Sequence, residues 1–467
     1  MPRLRHRRAR ERNRGRKALR SWFYSPSRFL SAVPFSLLLA VPALEWKPVG
    51  QEEWEKAMRN QRGKARLKTI LAILVSILGA TSAVKAGALA GSVLYPLIMP
   101  SGFSNIYEPG GPQIVAIGQV VGTVSGSSAP GGHAMLWSGP AGNAVDLNPT
   151  NLAITKSGAD GTNGTQQVGF GNGPATGNNT YAMLWNGTAG SAVDLNPTNL
   201  GVMTNTVAFS TDGVQQVGEG TGPGTGSSFH ALLWNGTAAS AVDLNPTSLG
   251  ITYSQALAIS GGQQVGGGYG GSTGGNNHAL LWFGTAASAV DLQPTNLSYM
   301  TGSNAFGTNG IQQVGDGEGA SFFAHALLWS GTADSAVDLN PTNLTYITDS
   351  IALGTSGTQQ VGWGEGSGTG GNSHALLWSD TAASAVDLQT LLPSAGNWKD
   401  STAYIIDASG DVFGTADGTY NHYTGSFAVE WSPVVGVPEP ASLCILAVGA
   451  TGLLRRPQKM GEPQKTQ

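Results

Sequence analysis

Five histidines, His133, His230, His278, His325 and His374, each stand four residues before a tryptophan. An aspartate follows each of them thirteen residues later: Asp146, Asp243, Asp291, Asp338 and Asp387. A sixth aspartate, Asp194, keeps the spacing where Tyr181 replaces the histidine, and Phe427 replaces it in a seventh copy. An imidazole beside a carboxylate can move a proton, and a ring of imidazoles can hold a metal ion. A catalytic centre, however, needs one constellation of unlike groups. The same residues in almost every copy of a repeat instead imply a structural role in each copy, such as a His–Asp or a His–backbone hydrogen bond. His230, Trp234 and Asp243, and likewise His278, Trp282 and Asp291, therefore read as structural positions. No catalytic residue, metal ligand or cofactor is expected among them.

Residues that break the pattern are better candidates for chemistry. Glu219, Asp316, Glu318 and Glu365 are placed by the sequence in the loop after the second strand of their copies. Because they fall at similar positions in several copies, they suggest a shared surface more than a single catalytic centre. Asp407-Ala408-Ser409-Gly410-Asp411 carries two of the oxygen ligands of a calcium loop but lacks the rest, and reads as a tight turn. No Gly-x-Ser-x-Gly, His-Glu-x-x-His, phosphate-loop or dinucleotide fingerprint stands in a supporting context. Gly-x-Gly pairs such as Gly218-Glu219-Gly220 belong to the repeat.

The element that must position these residues is about 48 residues long. Its tryptophans are Trp137, Trp185, Trp234, Trp282, Trp329, Trp378 and Trp431, a period typical of propeller blades. The third copy divides into four short pieces: Val207–Phe209, Gln215–Gly218, Ala231–Trp234 and Ala241–Leu244. All are too short for helices, and turn signals such as Asn235-Gly236 separate them. The third piece is apolar at every position, as in a strand covered on both faces. The recurring glycines Gly122, Gly169, Gly218, Gly266, Gly315, Gly362 and Gly414 read as strand-end residues that allow turns or close packing. The seventh copy has no fourth piece, whereas Val93–Ile98 precedes the first copy unpaired. Joining the two would complete the seventh blade and hide open strand edges. The expected fold is all-β: a seven-bladed β-propeller with four-stranded blades, flanked by N-terminal signal and C-terminal sorting helices.

Charge separates this body from its flanks. Between residues 87 and 436 only Lys156 and Lys399 are basic, against 21 acidic residues, a formal charge of −19. Such a body repels phosphate backbones, so nucleic acid is not an expected partner. The single cysteine, Cys444, excludes an intrachain disulfide. Residues 1–57 hold a strongly basic arm and an apolar stretch broken by Pro34 and Pro42; they read as an extension upstream of a true start at Met58, or as a basic arm with a membrane segment. Residues 58–86 contain the three parts of a secretory signal: a basic start, the apolar run Thr69–Ala80 and a small-residue cleavage site after Ala86. The propeller is expected over 87–436 and a sorting segment over 437–467.

Two family resemblances follow from these residues. Val-Gly, then a Gly-rich loop, then His-Ala-Leu-Leu-Trp resembles the extracellular HAF repeat, over roughly residues 91–431. Leu replaces the usual Phe, and the Asp-Leu-Asn-Pro-Thr-Asn ending departs from that family. The pairing of His and Asp also resembles the arrangement in WD-repeat blades. Val437-Pro438-Glu439-Pro440, the apolar run Leu443–Leu454 and Arg455-Arg456 closely resemble a PEP-CTERM sorting signal. That resemblance implies recognition by an exosortase near Pro438-Glu439-Pro440, in a Gram-negative bacterium with an extracellular polymer matrix. The twelve-residue apolar run is short for a span, which fits transient contact with the inner membrane, with Arg455 and Arg456 on the cytoplasmic side. Together these readings imply an exported protein of the cell surface or matrix, with signal peptidase and exosortase as processing partners. Its role would be noncatalytic adhesion or association with extracellular polysaccharide. A secreted carbohydrate-active propeller enzyme is the alternative.

Overall fold

The computed structural model describes residues 89–433, apart from 104, 108–117, 139–142 and 320–322. The signal segment with Ala86, the sorting residues Pro438, Glu439, Pro440, Arg455 and Arg456, and the expected flanking helices lie outside the described residues. Among the described residues, no helix is long and apolar enough to cross a membrane.

Seven four-stranded antiparallel sheets form the seven blades of a β-propeller. Each blade is numbered here by its tryptophan, from Trp137 in blade 1 to Trp431 in blade 7. In blade 3 the strands are Asn205–Thr211, Gln216–Thr221, His230–Trp234 and Val242–Asp243. The first two run further than the apolar pattern implies, and the fourth is only two residues long. His-Ala-Leu-Leu-Trp contains good helix formers, but five residues cannot offset the cost of helix nucleation. Burial on both faces decides the matter.

That burial is between blades. Leu232 and Trp234 pack with Val168, Ala182, Leu184 and Leu195 of blade 2. Ala231 and Leu233 of the same strand pack with Ala256, Ile259, Leu280 and Trp282 of blade 4. Successive side chains of a strand point to opposite faces, so an all-apolar strand serves two neighbours. Each tryptophan thus inserts toward the preceding blade. Trp185, Trp234, Trp282, Trp329, Trp378 and Trp431 are fully buried.

The ring closes through the chain's two ends. Leu89–Pro96 pairs antiparallel with Tyr423–Pro433, placing Val93 opposite Glu430, Leu94 opposite Val429 and Tyr95 opposite Ala428. This is the missing fourth strand of blade 7. It starts earlier than Val93 and stops at Pro96, whose ring removes the backbone donor; Leu97 N then donates to Ser426 O at 3.1 Å. Trp137 of blade 1 packs with Leu97 and with Phe413 of blade 7, so the tryptophan contact continues across the seam.

The recurring glycines lie inside the second strands, which corrects their placement at strand ends, and close packing, one of the two roles expected of them, is the one they fill. Gly218 lies inside the second strand, opposite Ala208, and the first strand bulges immediately after Ala208. The bulge carries the Val207 carbonyl to 1.9 Å from where a Gly218 Cβ would stand. Gly169, Gly266, Gly315, Gly362 and Gly414 meet the same close approach. Glycine is required here by a neighbouring carbonyl, with no turn involved. Gly218→Ala should therefore destabilise the protein by roughly 1–3 kcal/mol. Gly190→Ala, at an open position where blades 3, 4 and 6 carry Ala239, Ala287 and Ala383, should be neutral or stabilise by up to about 1 kcal/mol. Urea denaturation of the two variants checks this contrast.

Candidate functional site

In blades 1, 3, 4 and 5 the histidine–aspartate pair heads a hydrogen-bonded chain that reaches the next blade. His230 Nδ1 lies 2.8 Å from Asp243 Oδ2. A carboxylate only accepts, so Nδ1 carries the hydrogen. Asp243 Oδ1 accepts the Asn245 backbone N–H at 2.8 Å. Asn245 Oδ1 accepts Ser254 Oγ–H at 2.7 Å, and Ser254 Oγ accepts the Ala231 N–H at 3.0 Å. Ser254 belongs to the first strand of blade 4, so the chain ties the outer strands of one blade to the inner strand of the next. Pairs at 2.8–2.9 Å join His133 to Asp146, His278 to Asp291, His325 to Asp338 and His374 to Asp387. In blade 2, where Tyr181 replaces His, the Asp194, Asn196 and Thr206 part of the chain persists. Burial opposes ionisation of Asp338, yet hydrogen bonds from His325 and Tyr299 hold its carboxyl below the ordinary range. The serines of this chain were missed in the sequence, although Ser157, Ser254, Ser303, Ser350 and Ser401 each precede a first-strand Ala by two residues.

The carboxylates that break the repeat lie in strands. Glu219 is within Gln216–Thr221, Asp316 and Glu318 within Gln313–Gly319, and Glu365 ends Gln360–Glu365. Glycines on either side of Glu219 and Asp316 keep full ladder pairing, which the loop assignment overlooked. The residues that begin each first strand and end each second strand gather at one end of the ring. Asp316 is buried and accepts Asn304 Nδ2–H at 3.1 Å. Burial above all pushes its carboxyl up to about 7, with Glu318 and Asp349 adding repulsion. Asp349 and Glu365 are also raised by burial, Glu365 further by Asp349 and Asp400. Among the described residues, no group of three or more His, Cys, Asp or Glu side chains is arranged to hold a metal ion. Asp407 Oδ1 accepts the Ser409 and Asp411 N–H groups at 2.7 and 3.0 Å, a tight turn.

At the same end, blades 3 and 4 build an aromatic cluster. Tyr253 and Tyr269 are cross-strand partners, with rings stacked at 4.6 Å and 17°. Phe229 meets Tyr253 edge-on at 6.0 Å. The Tyr253 hydroxyl points to Glu219 Oε2 at 3.5 Å. Burial pushes the Glu219 carboxyl up to about 7, against the pull of that hydroxyl, and pushes Tyr253 up to about 12. Tyr269 remains 39% exposed, so one face of the stack is open. Both tyrosines escaped the sequence reading. Tyr253 stands where the other first strands carry Lys156, Asn205, Gly302, Asp349 or Asp400, and this departure from the column was the available signal.

His230→Ala should lower the melting temperature modestly, by the equivalent of roughly 1 kcal/mol. Ser254→Ala, which strands the buried Ala231 N–H and the Asn245 amide oxygen, should cost roughly 1–3 kcal/mol. Calorimetry orders the two, and a larger loss in His230→Ala would contradict the chain described here.

Comparison with known families finds no matching family model, and no characterised protein matches in sequence. Solved structures share the fold. A puromycin-hydrolysing peptidase of Mycobacterium tuberculosis aligns at 11% identity and a TM-score of 0.45, over 70% of this chain and 51% of that one. The chain spans about half the length of that peptidase. The β-propeller domain of the Trilobed protease from Pyrococcus furiosus aligns at 6% identity and 0.44, over 72% and 95%. An oligogalacturonate lyase from Vibrio parahaemolyticus aligns at 10% and 0.42, over 74% and 99%. Likeness at this level extends to the propeller fold and carries no activity.

Proposed function

We propose that this protein is an exported, noncatalytic propeller of the bacterial surface or extracellular matrix, and that it associates with polysaccharide through the open end of blades 3 and 4. The Tyr253–Tyr269 stack beside Phe229 and Glu219 carries this reading. A flat aromatic face covers the apolar side of a sugar ring, and an adjacent carboxyl supplies hydrogen bonds to its hydroxyls. The His–Asp pairs support a noncatalytic role, because those of blades 1, 3, 4 and 5 are engaged in the bond between one blade and the next. The charge pattern and the segments 58–86 and 437–456 support export, with signal peptidase and exosortase as processing partners.

Full-length protein should bind one or more bacterial polysaccharides on a glycan array, saturably and without release of shortened products. Tyr269→Ala should weaken that binding roughly 3- to 10-fold while leaving the melting temperature nearly unchanged. Turnover abolished by Glu219→Gln would favour the enzyme; absence of binding to any polysaccharide would overturn the proposal.

Export has its own test. Terminal mass spectrometry of protein from the native host should find a mature chain from about Gly87 to the Pro438-Glu439-Pro440 region. Intact residues 1–57, or an uncut tail bearing Arg455 and Arg456 on most molecules, would contradict it.

A further inference from the structure

The inner strands carry a feature that neither the repeat nor the polysaccharide reading uses. In blades 2 to 7 the first strand bulges at one equivalent place, and the residue inserted there is Asp160, Phe209, Leu257, Phe306, Leu353 and Tyr404 in turn. All six line a single cavity of about 1040 Å³ along the propeller axis. Five present an aromatic or aliphatic side chain; one presents a carboxyl.

We propose that this channel binds an organic cation, an ammonium group on an apolar body, with Asp160 as its counter-charge. A carboxylate in apolar surroundings is costly unless a proton or a cation neutralises it. No lysine or arginine lines the cavity among the described residues; its other titratable groups there are Tyr404, in the same ring, and Asp400 and Asp417. Lys399 is engaged with Asp400 at 3.0 Å. Burial alone pushes the Asp160 carboxyl up to about 7. Asp400 and Asp417 are not gathered with Asp160 into a metal-holding group among the described residues, and the Asp160 carboxyl alone supplies too few oxygens for a calcium or magnesium ion. It suits an alkylammonium, whose chain can lie against Leu257 and Leu353 and whose charge is also attracted to aromatic rings such as those of Phe209 and Phe306. The formal charge of −19 on residues 87–436 would raise the local concentration of such a cation.

The linkage has a definite sign. The cation binds the ionised carboxyl, so affinity is full above pH 7 and falls as the pH drops through it. With a carboxyl at about 7, n-butylammonium should bind the full-length protein about 30-fold more weakly at pH 5.5 than at pH 8.5, as measured by calorimetry at constant ionic strength. n-Butanol, which lacks the charge, should bind at least tenfold more weakly at pH 8.5. Asp160→Asn should lose at least tenfold in butylammonium affinity at pH 8.5, together with the pH dependence. The same variant should melt higher than the parent at pH 8.5 and equal to it at pH 4, because it removes a carboxylate that the fold does not satisfy. Carbon-13 NMR of the Asp160 carboxyl in the parent protein needs no variant: added butylammonium should move its titration to lower pH. Affinity independent of pH, equal binding by Asp160→Asn, a lower melting point for that variant at pH 8.5, or an unmoved carboxyl titration would each overturn the proposal.

Discussion

The structure rests on the burial of each blade's two faces against its neighbours. A four-stranded sheet with strands of two to seven residues, as in blade 3, has no interior of its own. Its apolar side chains leave water only when another blade arrives on each side. Leu232 and Leu233, adjacent in sequence, are committed to different blades, and Trp234 fills the space between one blade and the last. A blade at an open end would expose one of these faces. This explains why Leu89–Pro96 completes blade 7 from the far end of the chain: the pairing fastens the ring where otherwise two such faces would meet water.

Close approach between blades sets the polar design as well. Backbone bonds join neighbouring blades at single points, such as Ser254 N–H to the Phe229 carbonyl at 2.9 Å, and side chains extend the link: His230, Asp243, Asn245 and Ser254 pass from one blade to the next and return to the Ala231 N–H. In blades 2 to 7, glycine opposite the bulge lets a first-strand carbonyl close on the second strand. The bulge in turn aims one side chain from each of these six blades at the axis. Columns occupied by Trp, Leu, Gly, His, Asp and Ser are thereby fixed by packing. Variation is left to three columns: the start of the first strand, the residue between the paired glycines, and the bulged residue. Tyr253, Glu219 and Asp160 occupy one of these each.

This division explains what was legible in the sequence. Fixed columns repeat, and repetition exposed the blade count, the four pieces of each blade, the His–Asp pairing and the incomplete seventh copy. Free columns do not repeat, and their meaning depends on register. Tyr253 and Tyr269 are sixteen residues apart and face each other only because Ser254 lies opposite Gly268 across the hairpin. Asp160 would follow simple alternation along Lys156–Thr162, but the bulge after Ala159 resets which face it takes. A bulge is a product of the neighbouring glycine and carbonyl, and no single residue announces it. The same blindness placed the Gly218 column at strand ends and Glu219 in a loop.

The free columns also hold carboxyls that the fold leaves without a basic partner. Asp160, Glu219 and Asp316 are each pushed up to about 7, chiefly by burial. For a carboxyl whose folded value lies above its unfolded one, the folded state binds protons more tightly. Its burden on stability is absent below the unfolded value, near 4, and grows as the pH rises toward 7. A basic neighbour would remove that burden, yet only two basic residues stand between 87 and 436. Lys156 opens a first strand and is exposed, and Lys399 is engaged with Asp400. The body thus keeps carboxyls at the channel and its rim without neutralising them internally. In the terms of the fold this is a cost at neutral pH, borne in columns that packing leaves free to change. Substitution of Asp160 by an uncharged residue would relieve it without disturbing any blade contact described above, whereas substitution of Glu219 would also remove the bond from the Tyr253 hydroxyl. Ligands that bring hydrogen-bond donors or positive charge to these carboxyls would relieve it too, and in doing so would bind.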